Sequence, residues 1–101
     1  MIKVLVKKEK NKIKKVTMGG HANYDDYGKD IVCAAASSIV ITTINAILEI
    51  DKAWIDYSLN EELTVTVKKD NDILNKLIDN MVNMLKELEN DYQENIKIKE
   101  E

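Results

Sequence analysis

The hydrophobic positions fall into short Ile- and Val-rich runs alternating with two long apolar-striped stretches, which predict strands and helices in turn. Ile2 to Val6 and Ile13 to Met18 are joined by the polar segment Lys8 to Asn11 and read as a hairpin. From Asp30 to about Ile50 there is no proline or glycine. On a helical wheel Ser38, Thr42, Asn45 and Glu49 share one side, while Ala36, Val40, Ile44, Ile47 and Leu48 surround Cys33 on the other. The apolar arc of this helix is wide, running from Ile39 through Cys33 to Ile41, so cover from more than one side is expected, including a second subunit.

Trp54 to Tyr57 and Leu63 to Val67 form a second strand pair about a turn at Asn60, Glu61 and Glu62. Thr64 and Thr66 alternate with Val65 and Val67, as in a half-buried strand. A second helix is predicted from about Asn71 to Asn90, capped by Asp70 or Asn71. Its stripe is Leu74, Leu77, Ile78, Met81, Leu85 and Leu88, with Met81 and Met84 taken as core filler. Ile96 and Ile98 alternate with lysines in a last strand. The order ββαββα(β) gives an α+β fold of two layers, with two helices on a mostly antiparallel sheet. No linker or repeat divides residues 1–101, so one domain is expected.

Charge adds an asymmetry that the net value of -3 conceals. Through Lys15 there are seven lysines against Glu9 alone, +6, while the remainder has eight lysines against seventeen acids, -9. The basic hairpin reads either as a solvated face that guards an edge strand or as a contact surface for RNA or a ribosomal particle. The absence of arginine weakens the nucleic-acid reading, because arginine is the better residue for bidentate phosphate recognition. No signal-peptide pattern opens the chain, and the apolar run Ile31 to Ile50 is interrupted by polar residues, so a cytoplasmic protein with no membrane span is expected.

The candidate chemistry lies between residues 19 and 38, GGHANYDDYGKDIVCAAASS, which holds the chain's one histidine, His21, and its one cysteine, Cys33. A cysteine nucleophile needs a base, and here each has a single candidate. Gly19 and Gly20 allow a sharp turn or close approach to a ligand, with His21 emerging at a sheet edge. Ala22 to Lys29 is expected to be a loop, with Gly28 as a hinge. Asp30 is expected to be the N-cap of the first helix, placing Cys33 in its first turn, where the helix dipole favours thiolate and the Asp30 charge opposes it. Backbone N–H groups near Cys33 and Ala34, or at Gly19 and Gly20, are candidates to hold an oxyanion. Ser37, one turn beyond Cys33, either orients the site or simply permits tight packing.

From the residues alone other readings stand beside a cysteine hydrolase. They are a non-catalytic ribosome- or RNA-associated binding module, a redox-sensing thiol, an inert core cysteine and a metal site. One thiolate and one imidazole fall short of the usual closed zinc set.

The segment resembles the ribosomal-processing cysteine protease family, often abbreviated Prp. The family pattern, Gly-His-Ala, a short variable loop, then Gly-x-Asp-Ile-Val-Cys-Ala, small residues and a serine, appears as Gly20, His21, Ala22, then Gly28, Lys29, Asp30, Ile31, Val32, Cys33 and Ala34, with Ser37 in the serine place. The resemblance implies a small α+β homodimer without metal or other cofactor. It implies removal of a short N-terminal extension from the twenty-seventh protein of the large ribosomal subunit, after a hydrophobic sequence containing aromatic residues. His21 and Cys33 are then the catalytic pair, with Asp30, Ser37 and Gly20 in support. Membrane or direct nucleic-acid binding is not required for that activity. Asn23 departs from the small residue common in relatives. Asp25 and Asp26 either attract basic residues past the cut or belong to a solvated polar loop, and Tyr24 and Tyr27 either line the substrate pocket or anchor that loop, with Gly28 as its hinge.

Overall fold

The computed structural model describes residues 1–20 and 27–101, with the side chains of residues 27–30 outside the description. In chain order the elements are β1 (Ile2–Glu9), β2 (Lys12–Gly19), α1 (Tyr27–Ile50), β3 (Ile55–Leu59), β4 (Leu63–Val67), α2 (Asp72–Asp91) and β5 (Ile96–Glu100). The sheet is open, ordered β3-β4-β2-β1-β5, antiparallel except where β5 runs parallel to β1. The two-layer α+β architecture follows from the strand pattern. Ile2, Val4 and Val6 of β1 share one face with Val16 of β2, Leu63 and Val65 of β4, and Ile96 of β5, and all are buried. Both helices cover that face, and the other is open.

The first hairpin is tighter than the composition suggested. Lys10 and Asn11 alone form the turn, both with positive φ (52° and 65°), the two-residue geometry whose twist matches that of the flanking strands. Strand pairing therefore extends through Lys8 and Glu9, with a register shift between Lys7 and Lys8. That irregularity lets Ile13 stay buried beneath a hairpin end that is otherwise charged. At the other pair, Trp54 precedes the strand rather than opening it, and its carbonyl accepts the Lys68 N–H at 2.8 Å.

Residues Ile31–Ile50 of α1 are long and apolar enough to cross a membrane by length and composition. In the fold they form a core helix instead. Val32, Ala36, Val40, Ile44 and Ile47 make the buried stripe at helical spacing, with Cys33, Ile39 and Leu48 half-buried beside it. Ile31, Ile41 and Ile50 stay exposed. α2 is more sharply two-sided. Asn71 caps it, its side chain accepting the N–H groups of Ile73 and Leu74 at 2.9 and 3.1 Å. Leu74, Ile78, Met81, Val82 and Leu85 are buried, with Leu77 and Leu88 at the margin. Met84 is exposed rather than core filler: three residues on from Met81 it has rotated out of the stripe, and its sulfur meets the Asn80 side-chain amide.

Two carboxylates tie α2 and β5 into the sheet. Glu89 reaches from α2 to accept the Ile98 N–H on the outer edge of β5, at 2.6 Å. Glu100 pairs with Lys86 of α2 at 2.5 Å and with Lys8 of β1 at 3.4 Å. Lys86 holds the Glu100 carboxyl below its ordinary range, chiefly through a hydrogen bond, with Lys8 adding to the effect.

Candidate active site

Cys33 lies half-buried in the wall of a cavity of about 180 Å³. Three parts of the chain build it. From α1 come Cys33, Ala36, Ser37 and Ile41; from the strand ends at one side of the sheet come Ile2, Met18, Gly19 and Gly20; from the β3–β4 turn come Leu59, Asn60, Glu61 and Leu63. The antiparallel register explains the meeting, because Met18 pairs with Leu63 and Leu59 pairs with Leu63 in turn, which brings the end of β2 under the turn. Ser37, four residues after Cys33, shares the cavity through helical spacing. The small side chains at 34–37 keep this stretch of α1 from filling the space.

The glycine pair is placed by backbone requirements. Gly20 has φ +77°, in the left-handed region, and a Cβ there would run into the Met1 carbonyl oxygen. Gly19 differs. A Cβ would come within 2.9 Å of the Glu62 Cγ and carboxylate, so that side chain as a whole must turn aside. Hence Gly20 is the residue that brings β2 close beside the start of β1 at the cavity wall.

The helix start differs from expectation. α1 begins at Tyr27, so Asp30 is its fourth residue and not its N-cap, and Cys33 is its seventh. Gly28 and Lys29 are helical rather than part of a loop. A glycine costs a helix about 1 kcal/mol relative to alanine, too little to end one whose following stripe is buried, and an acid in the first turn suits the helix dipole. Cys33 thus stands in the second turn, past the reach of the exposed N-terminal N–H groups. Its own N–H and that of Ala34 belong to the internal ladder, and the Gly19 N–H is engaged by Lys3 in the β1–β2 ladder, which withdraws all three as oxyanion donors and leaves Gly20. His21, Asn23, Tyr24, Asp25 and Asp26 lie outside the described residues, as do the side chains of Tyr27 and Asp30.

Sequence reasoning missed Ile2, Met18, Ile41 and the whole β3–β4 turn as cavity residues. Met18 and the turn come to the cavity only through the β2–β4 and β3–β4 pairings, a register that no local pattern announces. Leu59 is 63% exposed and Ile41 43% exposed, so the cavity opens onto an apolar rim. Among the described residues no three His, Cys, Asp or Glu side chains converge to hold a metal. The arrangement offers one nucleophilic sulfur, a hydroxyl, a backbone N–H unhindered by a side chain at Gly20, and an apolar groove. Those parts suit attack on a carbonyl carbon in an extended peptide.

Comparison with known proteins gives the same direction. Residues 1–97 match the model of the family described as cysteine protease Prp. The ribosomal processing cysteine protease Prp of Staphylococcus aureus is 31% identical over 94 residues, covering 89% of each chain. That of Bacillus subtilis is 26% identical over 110 residues, covering 97% of this chain and 96% of the other. In structure the chain is similar to the S. aureus Prp solved with a substrate peptide, at TM-score 0.90, 29% identity and 100% coverage of both chains. It is similar at TM-score 0.89 to the same protease solved with a covalently linked product peptide. A family match over residues 1–97, with a half-buried cysteine on an apolar cleft and relatives of the same fold solved with peptides, leads to one assignment: the chain belongs to the Prp family of ribosomal-processing cysteine proteases, and is a cysteine protease.

Proposed function

We propose that this protease removes a short N-terminal extension from the twenty-seventh protein of the large ribosomal subunit, using Cys33 as nucleophile and His21 as general acid–base. The observation that carries the reading is the half-buried Cys33 thiol on the wall of a cleft shared with Gly19, Gly20 and Ser37. The Cys33 thiolate attacks the scissile carbonyl carbon, and the carbonyl electron pair moves to oxygen. The backbone N–H of Gly20, one residue past the end of β2, is the donor for that oxyanion, an interaction typically worth about 3 kcal/mol in the transition state. As the C–N bond breaks, His21 delivers its proton to the departing amine. It then takes a proton from water, which attacks the thioester and frees the carboxylate product and the thiol.

Met18, Ile41, Leu59 and Leu63 supply the apolar contact for hydrophobic residues before the cut. Ser37 orients the peptide or the thiol from one turn away. Gly20 shapes the wall, Asp30 supports the helix start, and Tyr24, Asp25, Asp26, Tyr27 and Gly28 belong to the substrate segment. Residues 1–101 act as one domain, working in the cytoplasm where the substrate is made. Exposed Ile31 and Ile41, on the side of α1 turned away from the core, give an apolar surface suited to a homodimer.

The test is incubation of the protein and its Cys33→Ala variant with the extended ribosomal protein of the same organism, followed by intact mass. One truncated product with the native enzyme and none with the variant supports the reading. Cleavage by both, or an uncut substrate with both while the variant binds it, overturns the Cys33 and His21 assignment.

A further inference from the structure

The face of the sheet that no helix covers carries Lys3 and Lys7 of β1, Lys15 of β2, and Lys97 and Lys99 of β5. Register brings them into contact distance of one another. Lys3 stands directly opposite Lys97, Lys7 directly opposite Lys15, and Lys99 opposite Leu5, which is half-buried between them. Like charges placed directly across a strand pair destabilise a sheet. Here two such pairs share one surface of a chain whose net charge is -3. Among the described residues the ion pairs engage Lys8, Lys12, Lys68 and Lys86, and none of these five. Three acids share the face with them: Asp56 on β3, paired with Lys68 and in line with Thr66 and Lys15; Glu62, over Gly19 next to Lys3; and Glu101, whose backbone bonds to Val6 and Lys8 set it beside Lys7.

The remaining positions on this face are small and polar. Ser58, Thr64 and Thr17 form one row across β3, β4 and β2, with Thr66 beside it, and no aromatic residue interrupts them. Such a surface is hydroxyl-bearing and, with five lysines against three acids, net positive, and it faces away from the helix layer that holds Cys33.

We propose that this open face docks the phosphate backbone of RNA, holding the protease against a nucleic-acid surface while the cleft on the other layer handles peptide. Phosphates between the paired lysines relieve the like-charge repulsion, which makes the fit one of charge complementarity. Without aromatic residues there is no platform for stacking bases, so the binding is independent of sequence and steeply dependent on salt. The inference stands apart from the peptidase chemistry, since none of the five lysines lines the Cys33 cavity.

The experiment is fluorescence anisotropy of the intact protein with a labelled 20-nucleotide oligouridylate across a salt series. Five phosphate contacts on a single strand give a log–log slope of about -3.5, so affinity falls roughly fifty-fold between 50 and 150 mM salt. A Lys7→Gln/Lys97→Gln/Lys99→Gln variant should lose about two units of that slope. A Lys52→Gln/Lys69→Gln/Lys76→Gln control should retain it. Both variants should cleave the extended ribosomal protein as the native enzyme does, and the face variant should melt no lower, since it removes repulsion. Absence of binding at 50 mM salt, or equal slopes for the two variants, overturns the proposal. Because RNA binding is read without peptide cleavage, its failure is separate from failure of the protease reading.

Discussion

Replacing Gly20 with alanine should damage both stability and activity, while the same change at its neighbour Gly19 should do neither. At Gly20 the left-handed backbone, φ +77°, costs an L-residue roughly 1–2 kcal/mol by itself. The added Cβ also meets the Met1 carbonyl oxygen, which has no rotamer through which to escape. Met1 precedes a strand end held by the Ile2 N–H bond to the Asn95 carbonyl at 2.9 Å, so moving it means disturbing the β1–β5 junction. The combined loss should reach about 2 kcal/mol, a fall in melting temperature of roughly 8–16 °C for a domain of this size. At Gly19 the clash is with the Glu62 side chain, from its Cγ to its carboxylate, which turns aside by rotating about its own bonds, and the expected change stays within about 1 kcal/mol. Thermal melts of both variants give the stability comparison. Peptide cleavage measured well below the lower melting point isolates the site, and there Gly20→Ala should lose kcat because the cavity wall has moved. Equal melting temperatures for the two variants, or full activity in Gly20→Ala, would refute the reasoning.

Contrasting leucine and isoleucine positions should separate folding from recognition. Ile47→Ala, at a fully buried site, should cost about 2–5 kcal/mol in denaturant unfolding. Leu59→Ala should leave unfolding nearly unchanged yet lower kcat/KM about tenfold, through the loss of one apolar contact at the rim. For Glu100, Lys86 and Lys8 depress the folded carboxyl below its unfolded value, so the pair stabilises the fold above the unfolded value, about 4.3, and that contribution is lost as pH falls through the lower folded value. Melting curves of Glu100→Gln should therefore lie slightly below the native protein at pH 7 and meet it under acid. A constant gap across that range would contradict the assignment.

Most of the architecture was readable because two periodicities were clean: Ile2, Val4 and Val6 point one way at period two, and Leu74, Ile78, Met81 and Leu85 return at helical spacing. Boundaries failed where local chemistry pointed against context. Gly28 and Asp30 look like a loop and a cap, yet the buried stripe of α1 draws the helix back to Tyr27. Lys8 and Glu9 look like turn residues, but the positive φ of Lys10 and Asn11 compresses the turn to two residues. Cys33, Gly20 and Ser37 were legible as site residues from adjacency in sequence. Leu59, Glu61 and Met18 were not, since they reach the cavity only through the β2–β4 register, a pairing set by the whole sheet.

The parallel pairing of β5 with β1 sets an order of events. Ile2 and Ile96 are register partners although almost the whole chain lies between them. As the polypeptide grows, β1 can pair with β2 at once, but its other edge has no neighbour until residues 96–100 have been made. Closing so long a loop is slow, and the exposed edge is meanwhile a template for wrong partners. Ile2 is also a wall of the Cys33 cavity, so the cleft takes its final form only with the last strand in place. Peptidase activity in a nascent molecule is therefore delayed until residues 96–100 have been made and have paired with β1.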